Sequence, residues 1–405
     1  SGSATALQLL RAGVGADQIV IFDQATFPRP KLCGGALTTR GTELLEDLLG
    51  EHPVGGCDTR ELEFRCALGA FPIVERGQQW LYDRGVLDNR LLAECKRLGV
   101  EVREGHRLTG IVAEGASWNL TFQHHRQTRT ESFPWVVGAD GARGAVRRSL
   151  DLRGGVVGRL VESVYVQRPG SGAPEFDPGR LYFDFDPILD DIPGYAWIFT
   201  YPKPGSEPGA FWKIGIMDGR GVTDGKTLRA WTDAYADRNG FDRVDTKIAG
   251  WPEHYYDPKT EAHRPGLVLV GEAWGIDPLL GEGIAPSLET AMYAAPRIAE
   301  ALAAGRRTIP NFERGFLKSE AGRNLRFQYR LAKLIYTGKS RRWLRVLFGH
   351  EYMRELAGAG TEAYGRLEHQ MMRLARAYVW QSLKRGFPSN APIPRALPES
   401  SAPTP

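Results

Sequence analysis

The sequence predicts an α/β fold: a Rossmann-like dinucleotide-binding domain, an antiparallel β sheet inserted into it, and a helical module at the C-terminus. Three observations predict this fold. Helices alternate with short β-branched strands in the N-terminal part, which is typical of a layered α/β sheet. Strands separated by Pro and Gly turns follow between Val161 and Met217, as in antiparallel sheets. From Phe312 onwards the pattern is helical.

The N-terminal elements follow from apolar spacing and from the residues that stop helices. One apolar helical pattern ends before Gly13 and another before Gly99, because glycine commonly ends helices. Short β-branched runs predict buried strands. The predicted helices are Ser3–Arg11, Arg40–Leu49 and Leu87–Leu98, and the predicted strands are Gln18–Phe22, Val100–Arg103, Leu108–Ala113, Trp118–His125 and Trp135–Val137.

The remaining elements divide the chain into parts. Four strands are predicted at Val161–Gln167, Gly179–Phe185, Tyr195–Tyr201 and Ala210–Met217, then a buried strand at Leu267–Val270 and a helix at Ser287–Leu302. Helical pattern runs from Phe312 to about Leu383, and the Pro-rich tail Gly386–Pro405 is expected to be disordered. We therefore predict a discontinuous dinucleotide-binding domain (1–50, 80–155, 262–306), an inserted β domain (51–79, 156–261), a helical module (307–385) and a tail (386–405).

The charge of the chain is nearly balanced overall but unevenly distributed. The net charge of +4 over 405 residues gives no reason to expect a nucleic-acid partner. Between Arg306 and Arg385 there are 18 Lys and Arg residues against 6 Asp and Glu. The run Lys339–Phe348 mixes cations with large apolar groups. Two interpretations stay open: a helical layer packed on an acidic body, or basic amphipathic helices that contact a membrane interface.

Cysteine usage and apolar runs set the expected compartment. Cys33, Cys57, Cys66 and Cys95 form no C-x-x-C pair and lie near no His cluster, so no metal site is expected. Four cysteines in a chain this long do not form a disulfide framework. No apolar run is long enough to cross a bilayer, and no secretory signal opens the chain. We expect a cytoplasmic protein, with contact to the inner face of the membrane as the second interpretation above implies.

The first site signal is an acidic residue after a short strand. In dinucleotide folds such a residue accepts from a ribose and follows the glycine loop by about 20 residues. Asp23 follows Gly2 by 21 residues. The chain is therefore expected to begin at the last glycine of a G-x-G-x-x-G loop, without the first strand. The alternative, that Ser1–Ser3 is a cloning remnant, is weaker because these residues run directly into a helix.

The second signal is a small-residue turn, Gly138–Arg143, that follows the strand Trp135–Val137. Such a turn lets the backbone approach a pyrophosphate, with Gly141 in the turn. Asp140 can then either hold the loop or contact the cofactor. The alternative is a plain Asp-Gly turn, which the helical pattern that follows disfavours.

The third and strongest signal is the segment from Leu267 to Ile284. A buried strand is followed by Gly271 and Glu272, and a glycine-rich loop then leads into a helix. Glu272 is placed to accept from a ribityl hydroxyl. The first N–H groups of the helix could face an anionic ring edge. A generic strand–loop–helix connection explains so many glycines poorly.

These three segments in this order resemble the FAD-binding pattern of group A flavoprotein monooxygenases. Two further segments resemble the geranylgeranyl reductase family. Phe27–Gly35 is similar to its P-R-x-K-x-C-G-G motif, and Gly194–Phe199 to its Y-x-W-x-F-P motif. Arg84, Leu87 and Asp88 match its R-x-x-x-D helix start. The resemblance covers about Ser1 to Arg306, and it departs from the family at Thr200, where the motif has Pro, and at Glu272, where relatives have Asp.

The resemblance implies roles for individual residues. Tyr195 and Trp197 would line a substrate cavity in the inserted β domain, whose aromatic faces suit an isoprenoid chain. The flavin would carry the hydride chemistry while the protein orients the substrate. Cys33 is a candidate proton donor, and a buried packing thiol is the equal alternative. FAD would be held by Gly2, Asp23, Lys31, Cys33, Gly34, Gly35, Arg84, Asp140, Gly141, Gly271, Glu272, Asp277, Pro278, Gly281, Gly283 and Ile284.

Three functional hypotheses follow. The first is an FAD-dependent reductase of isoprenoid C=C bonds, acting on a geranylgeranyl-type lipid or a quinone tail, with NADPH or a ferredoxin-type protein as electron donor. The second is a flavin-dependent monooxygenase or halogenase, since one fold serves several reactions; the W-x-W-x-I-P segment of halogenases is not found. The third is a noncatalytic remnant, motivated by the expected loss of the first strand.

Overall fold

The computed structural model describes residues 1–52, 55–149, 152, 155–336 and 340–349. The strands, in chain order, are β1 (Val20–Phe22), β2 (Ala36–Leu37), β3 (Gly56–Cys66), β4 (Gly69–Tyr82), β5 (Glu101–Arg103), β6 (Arg107–Glu114), β7 (Ser117–His124), β8 (Gln127–Phe133), β9 (Val136–Gly138), β10 (Val156–Gln167), β11 (Arg180–Asp184), β12 (Gly194–Thr200), β13 (Trp212–Asp218), β14 (Phe241–Arg243), β15 (Ala249–Tyr255), β16 (His263–Arg264) and β17 (Leu267–Leu269).

The α-helices are α1 (Gly2–Arg11), α2 (Thr39–Leu49), α3 (Arg84–Arg97), α4 (Ala145–Ser149), α5 (Gly225–Arg238), α6 (Ile284–Ala303), α7 (Phe312–Lys318), α8 (Glu320–Ile335) and α9 (Ser340–Phe348). Side-chain caps fix several of their starts. The Thr38 hydroxyl accepts from the Gly41 N–H at the start of α2, and Asp83 accepts from the Val86 N–H at the start of α3. Such caps satisfy backbone donors that have no partner inside the helix.

Parallel strand pairs form the part of the fold that the glycine motifs flank. Strand β1 pairs in parallel with β5, and β9 pairs in parallel with β17. Helices α1, α2, α3 and α6 pack together through a buried apolar cluster. Parallel strands flanked by helices are the pattern predicted for the dinucleotide-binding domain. The predicted hairpin at Leu108–Ala113 and Trp118–His125 is β6–β7, and β8 adds a third antiparallel strand that the sequence analysis missed.

A larger sheet of nine strands contains the four strands predicted between Val161 and Met217. Its order is β14-β10-β13-β12-β11-β3-β4-β2, with β15 paired to β10. Most neighbours are antiparallel, but β11 pairs in parallel with β3. The long β3–β4 hairpin and helix α5 were not predicted. Their sequences mix charged and apolar residues, so that neither a period of two nor a period of 3.6 stands out.

The two faces of this sheet are covered differently. One face packs against α5 through residues such as Ile198, Ile214 and Leu228. The other face presents Tyr195, Trp197 and Phe199 to residues of α8 and α9. Alternate residues of a strand point to opposite faces, which explains why neighbours in β12 belong to different cores. The aromatic face therefore lies between the sheet and the C-terminal helices.

The described part of the basic C-terminal module packs on the sheet. In α9, Leu344, Val346 and Phe348 are buried. The Phe348 ring lies 5.1 Å from the Phe71 ring, and Arg341 forms a 2.9 Å ion pair with Asp191. Of the two interpretations of this module, these residues fit the helical layer. The rest of the predicted helical module and the tail lie outside the described residues. None of the helices in the described ranges has the length and apolar character that crossing a membrane requires.

Candidate functional site

The loop between β17 and α6 is shaped by its own acidic residue. Asp277 is fully buried. Its carboxylate accepts from the N–H groups of Leu279 at 2.7 Å and Leu280 at 3.1 Å. Asp277 and the adjacent Pro278 therefore hold the loop, rather than presenting a free carboxylate. At the end of the loop Gly283 is the N-cap residue of α6, and no side chain caps that helix start.

The second and third glycine-rich segments lie side by side. A β-carbon added at Gly141 would lie 3.2 Å from Glu272 Oε2. A β-carbon added at Gly2 would lie 3.4 Å from the side chain of Ala139. The start of α1, the loop after β9 and the loop after β17 thus converge, as the motif order predicts. Of the FAD-binding residues predicted there, Gly2, Gly141, Gly271 and Glu272 come together.

Asp140 takes the first of the two roles left open for it. Its Oδ2 accepts from the Val146 N–H at 2.9 Å and so caps the beginning of α4. Burial raises the pKa of this carboxyl, while the backbone hydrogen bond opposes that shift. The residue therefore holds its own loop in shape.

Asp23 lies at the end of β1, as predicted. Its backbone N–H donates to the Arg103 carbonyl at 3.1 Å, and its carbonyl accepts from the His106 N–H at 2.8 Å. Its carboxylate accepts from the Ala25 N–H at 2.8 Å. The side chain is half-buried and is fixed at the carboxyl end of a parallel strand, where such folds bind ribose.

The Lys31–Gly35 segment lies tightly against the large sheet. Gly35 has a φ of +83°, and a β-carbon there would lie 2.2 Å from the Tyr82 carbonyl oxygen. A β-carbon at Gly34 would lie 2.8 Å from the Phe199 ring. Only glycine fits both the left-handed backbone and the close approach at position 35. The two glycines therefore let this segment lie directly beside the aromatic strand β12.

A charged cluster surrounds this segment. Arg84 forms hydrogen bonds to both oxygens of Asp88, at 2.9 and 3.1 Å, and its Nη1 lies 3.4 Å from the Cys33 sulfur. Arg29 adds a 3.4 Å contact to Asp88. The positive charge of Arg84, together with burial, lowers the pKa of Lys31. The predicted Arg84, Lys31 and Cys33 are thus brought together, and Asp88 is their shared anionic partner.

Glu272 approaches this cluster from the loop after β17. Its Oε2 lies 4.0 Å from Lys31 Nζ. Opposite charges at this distance attract, and the attraction is strongest where solvent is partly excluded. The side chains of Lys31 and Glu272 have exposed fractions of 32% and 13%, so solvent is only partly excluded from the pair. This pair connects the P-R-x-K-x-C-G-G-like segment to the third glycine-rich segment.

Tyr195 and Trp197 belong to an aromatic wall beside the cofactor-type loops. The Tyr195 hydroxyl donates to the Leu280 carbonyl, and the Trp197 indole N–H donates to Glu162 at 3.2 Å. Both rings are buried in this structure. The wall is completed by further aromatic side chains of the sheet and of α9: Phe64, Phe71, Phe183, Phe185, Phe199 and Phe348.

Two buried charged residues next to this wall were not predicted from the sequence. Lys213 and Glu162 are 6% and 2% exposed, and their charged atoms lie 3.8 Å apart. Lys213 Nζ also donates to the Cys33 carbonyl at 2.6 Å. The one available signal was a lysine within the predicted strand Ala210–Met217. A charge in a fully buried strand is uncommon unless it is paired.

The residues present fit FAD. Glycines at three converging loops leave free the volume that β-carbons would fill, and the starts of α1 and α6 carry no side-chain cap. Backbone N–H groups at helix starts bind phosphate groups and other anions. If FAD binds, the loops around Gly2, Gly141 and Gly271–Ile284, with Arg84 and Lys31, are the groups that would hold it.

Comparison with known proteins agrees with this geometry. The model of a family described as "FAD binding domain" matches residues 76–167. The chain is 26% identical over 262 residues to digeranylgeranylglycerophospholipid reductase 2 of Methanothermobacter thermautotrophicus, an alignment covering 63% of this chain and 65% of the relative. It is 25% identical over 319 residues to menaquinone reductase of Mycolicibacterium smegmatis, covering 73% of each. The chain is a flavoprotein related to the geranylgeranyl reductases. Its similarity to these reductases and its motifs both identify it as an FAD-dependent oxidoreductase.

Solved structures share the fold of this flavoprotein. A geranylgeranyl bacteriochlorophyll reductase-like protein from Thermoplasma acidophilum superimposes with a TM-score of 0.72 at 16% identity, covering 94% of this chain and 96% of that one. A flavin-dependent halogenase superimposes with a TM-score of 0.65 at 17% identity, covering 95% of this chain and 76% of that one. At such identities the likeness speaks for the fold alone, which both kinds of enzyme use.

Proposed function

We propose that this flavoprotein reduces C=C bonds of an isoprenoid chain, carried by a geranylgeranyl-type lipid or by a quinone. The observation that carries the proposal is the hydrogen bond from the Tyr195 hydroxyl to the Leu280 carbonyl. It joins the aromatic wall directly to the loop that would hold the flavin. An apolar chain lying on that wall would therefore end beside the cofactor. Relatives named as reductases of prenylated lipids and of menaquinone support this substrate class.

In this proposal the nine-stranded sheet is the substrate-binding part of the molecule. Its face at Tyr195, Trp197 and Phe199 offers aromatic and aliphatic surface, which favours an apolar chain through the hydrophobic effect. Bound FAD would supply the hydride when reduced. The protein's own contribution is to orient the alkene, to exclude water with the wall, and to provide a proton. Cys33, Lys31, Gly34 and Gly35 would border the reacting region.

We propose NADPH or a ferredoxin-type protein as the electron donor.

We propose contact with a membrane only through residues after 349. In α9, Leu344, Val346 and Phe348 are already buried within this chain. A prenyl lipid must nevertheless leave a bilayer to reach the wall. Vesicle flotation of the 405-residue chain and of a variant ending at residue 349 would test this contact.

The test is a single-turnover experiment on the 405-residue chain supplied with FAD. The protein is reduced anaerobically and mixed with a geranylgeranyl lipid, with menaquinone, or with buffer. We expect flavin reoxidation only with a prenyl compound, and a product heavier by two hydrogens per reduced bond. Oxygen-dependent turnover that yields a hydroxylated or halogenated product would instead support the monooxygenase or halogenase alternative. Failure to bind FAD at all would support the noncatalytic remnant.

A further inference from the structure

Glu253 occupies the boundary between the cofactor-type loop and the aromatic wall. It lies on β15, between Trp251 and Tyr255, and all three point to one face of the strand. The Trp251 ring lies under the Arg143 guanidinium at 4.6 Å. A β-carbon added at Gly281 would lie 3.2 Å from Glu253 Oε2. This face of β15 therefore borders both the loop after β9 and the loop after β17.

The same carboxyl reaches the aromatic wall. The Tyr255 hydroxyl donates to Glu253 Oε2 at 2.8 Å and lies 3.6 Å from the Met217 sulfur. Met217 and Tyr255 belong to the same buried cluster as Tyr195 and Trp197. The other two tyrosines of this region donate to the backbone of the adjacent loop: Tyr195 to Leu280, and Tyr336 to Leu279.

The surroundings of Glu253 favour its neutral form. Burial and the negative charges of Glu272 and Asp277 raise its pKa to about 8, while Lys31 and the hydrogen bond from Tyr255 oppose the rise. Tyr195 and Tyr336 face the neighbouring Tyr255, and the pKa of each of these three tyrosines is raised well above its usual value. Among the charged groups named here, Glu253 is thus the one placed to carry a transferable proton at neutral pH.

We propose that Glu253 is the proton donor of the alkene reduction. The inference rests on the proposed function and deepens it. One alkene carbon would receive a hydride, the two-electron equivalent that FAD would supply if it is bound and reduced. The other carbon receives the proton of the Glu253 carboxyl. The C=C π bond is replaced by two C–H bonds, and the carboxylate that remains regains its proton from water.

This assignment replaces Cys33 in that role. The Cys33 sulfur accepts from the Gly35 N–H at 3.4 Å and lies 3.4 Å from Arg84 Nη1. A sulfur that faces two donors acts as an acceptor, which suits a group that helps to fix the Lys31–Gly35 segment. Glu253, in contrast, accepts from Tyr255 on one oxygen and can keep a proton on the other.

The experiment compares Glu253→Gln with Glu289→Gln. Glu289 is a matched control, because it is another half-buried glutamate with a raised pKa, yet it pairs with Arg40 Nε at 3.5 Å on α2. Each protein, loaded with FAD and reduced, is mixed with a geranylgeranyl lipid at several pH values. We expect Glu253→Gln to slow reoxidation about 100-fold or more and to abolish its decline above about pH 8. The control should stay within about twofold of the wild type.

A second readout does not depend on turnover. Infrared spectra of the protein without substrate are recorded across the pH range, and the spectrum of Glu253→Gln is subtracted from that of the wild type. The difference should contain a protonated carboxyl band at pH 7 that is lost near pH 8, and the same subtraction with Glu289→Gln should give a band that is lost near pH 7. Absence of the Glu253 band from the wild type overturns the assignment, as does a Glu253→Gln protein with wild-type rate and pH profile. A wild type that shows the signal but reduces no prenyl compound overturns the proposed function, and the transfer step with it.

Should Glu253→Gln fail to fold, Glu253→Asp serves the same purpose. A shortened side chain keeps the carboxyl but withdraws it from Tyr255 and Gly281. If Glu253→Asp keeps the protonated carboxyl band but reoxidises more slowly than the wild type, the position of the carboxyl matters and proton donation is supported. An unchanged rate overturns the assignment.

Discussion

Lys213 Nζ lies 2.6 Å from the carbonyl oxygen of Cys33, although 180 residues separate the two in the chain. The same ammonium lies 3.8 Å from Glu162, whose carboxylate accepts from the Trp197 indole. A buried ion pair thus links the Lys31–Gly35 segment to the strand that carries the aromatic wall. Because both charges are buried, each is stabilised by the opposite charge of the other.

We expect Lys213→Met to destabilise the protein by about 3–5 kcal/mol, since it leaves Glu162 buried without its cation. Urea unfolding measures the loss. The double variant Lys213→Met, Glu162→Gln should recover part of it, because the uncompensated charge is gone. If the single and the double variants were equally unstable, the pair would not be the cause.

Gly35→Ala is expected to destabilise the protein and to weaken FAD binding. A non-glycine residue with a φ near +83° costs about 1–3 kcal/mol, and the added carbon would also meet the Tyr82 carbonyl. Gly50→Ala is the control, because Gly50 has a φ of +74° and open space around it. That change should cost only about 1–2 kcal/mol and leave FAD affinity intact. Flavin fluorescence titration and urea unfolding together separate the two effects.

Arg84→Gln should reduce stability at neutral pH by about 3 kcal/mol, the lower end for breaking a buried ion pair, because Arg29 still faces Asp88. Arg84, Lys31 and Arg29 lower the pKa of Asp88, although burial opposes them. A carboxyl with a lowered pKa in the folded state stabilises it above the usual value near 4 and loses that effect as the pH falls. The difference between wild type and variant should therefore shrink on acidification, which unfolding at pH 7 and in acid would reveal.

For Glu253 we expect a pH dependence of stability opposite to that of Asp88. Its pKa is raised from 4.5 to about 8, so between these values the folded state holds a proton that the unfolded state has lost. Stability should then fall as the pH rises from about 4.5 to 8. Thermal unfolding of Glu253→Gln should show a weaker fall over this window. For Glu289→Gln, whose carboxyl has a pKa of about 7, the weakening should be confined to lower pH.

Phe348→Ala tests whether α9 packs on the sheet in solution. The ring is 1% exposed and lies 5.1 Å from the Phe71 ring. Removing a buried phenylalanine side chain costs about 3–5 kcal/mol. The exposed Arg342 offers a neighbouring control, since Arg342→Ala should change the free energy of unfolding by less than about 0.5 kcal/mol. Equal effects of both substitutions would contradict the packing of α9.

Much of the fold could be predicted because it rests on local signals. Glycine stops and apolar spacing predicted α1, α2, α3 and α6 to within a few residues. The β3–β4 hairpin and α5 were missed, because their charged residues hide the period of the apolar ones. The glycine-rich loops that the resemblance groups as one site lie side by side in the structure. For Asp140 the sequence left two roles open, and the structure shows its carboxylate holding its own loop, as the Asp277 carboxylate does as well.

The sequence by itself determined the order of the glycine-rich segments, the acidic residues that follow the strands, and the aromatic alternation of β12. Each of these features is a pattern of a few adjacent residues. The tertiary structure alone decided which charges meet. Lys213 contacts Cys33 and Glu162, Glu253 contacts Tyr255 beside Gly281, and Phe348 of α9 completes the aromatic wall. Burial and long-range pairing set the chemistry of these groups, and neither is encoded in local spacing.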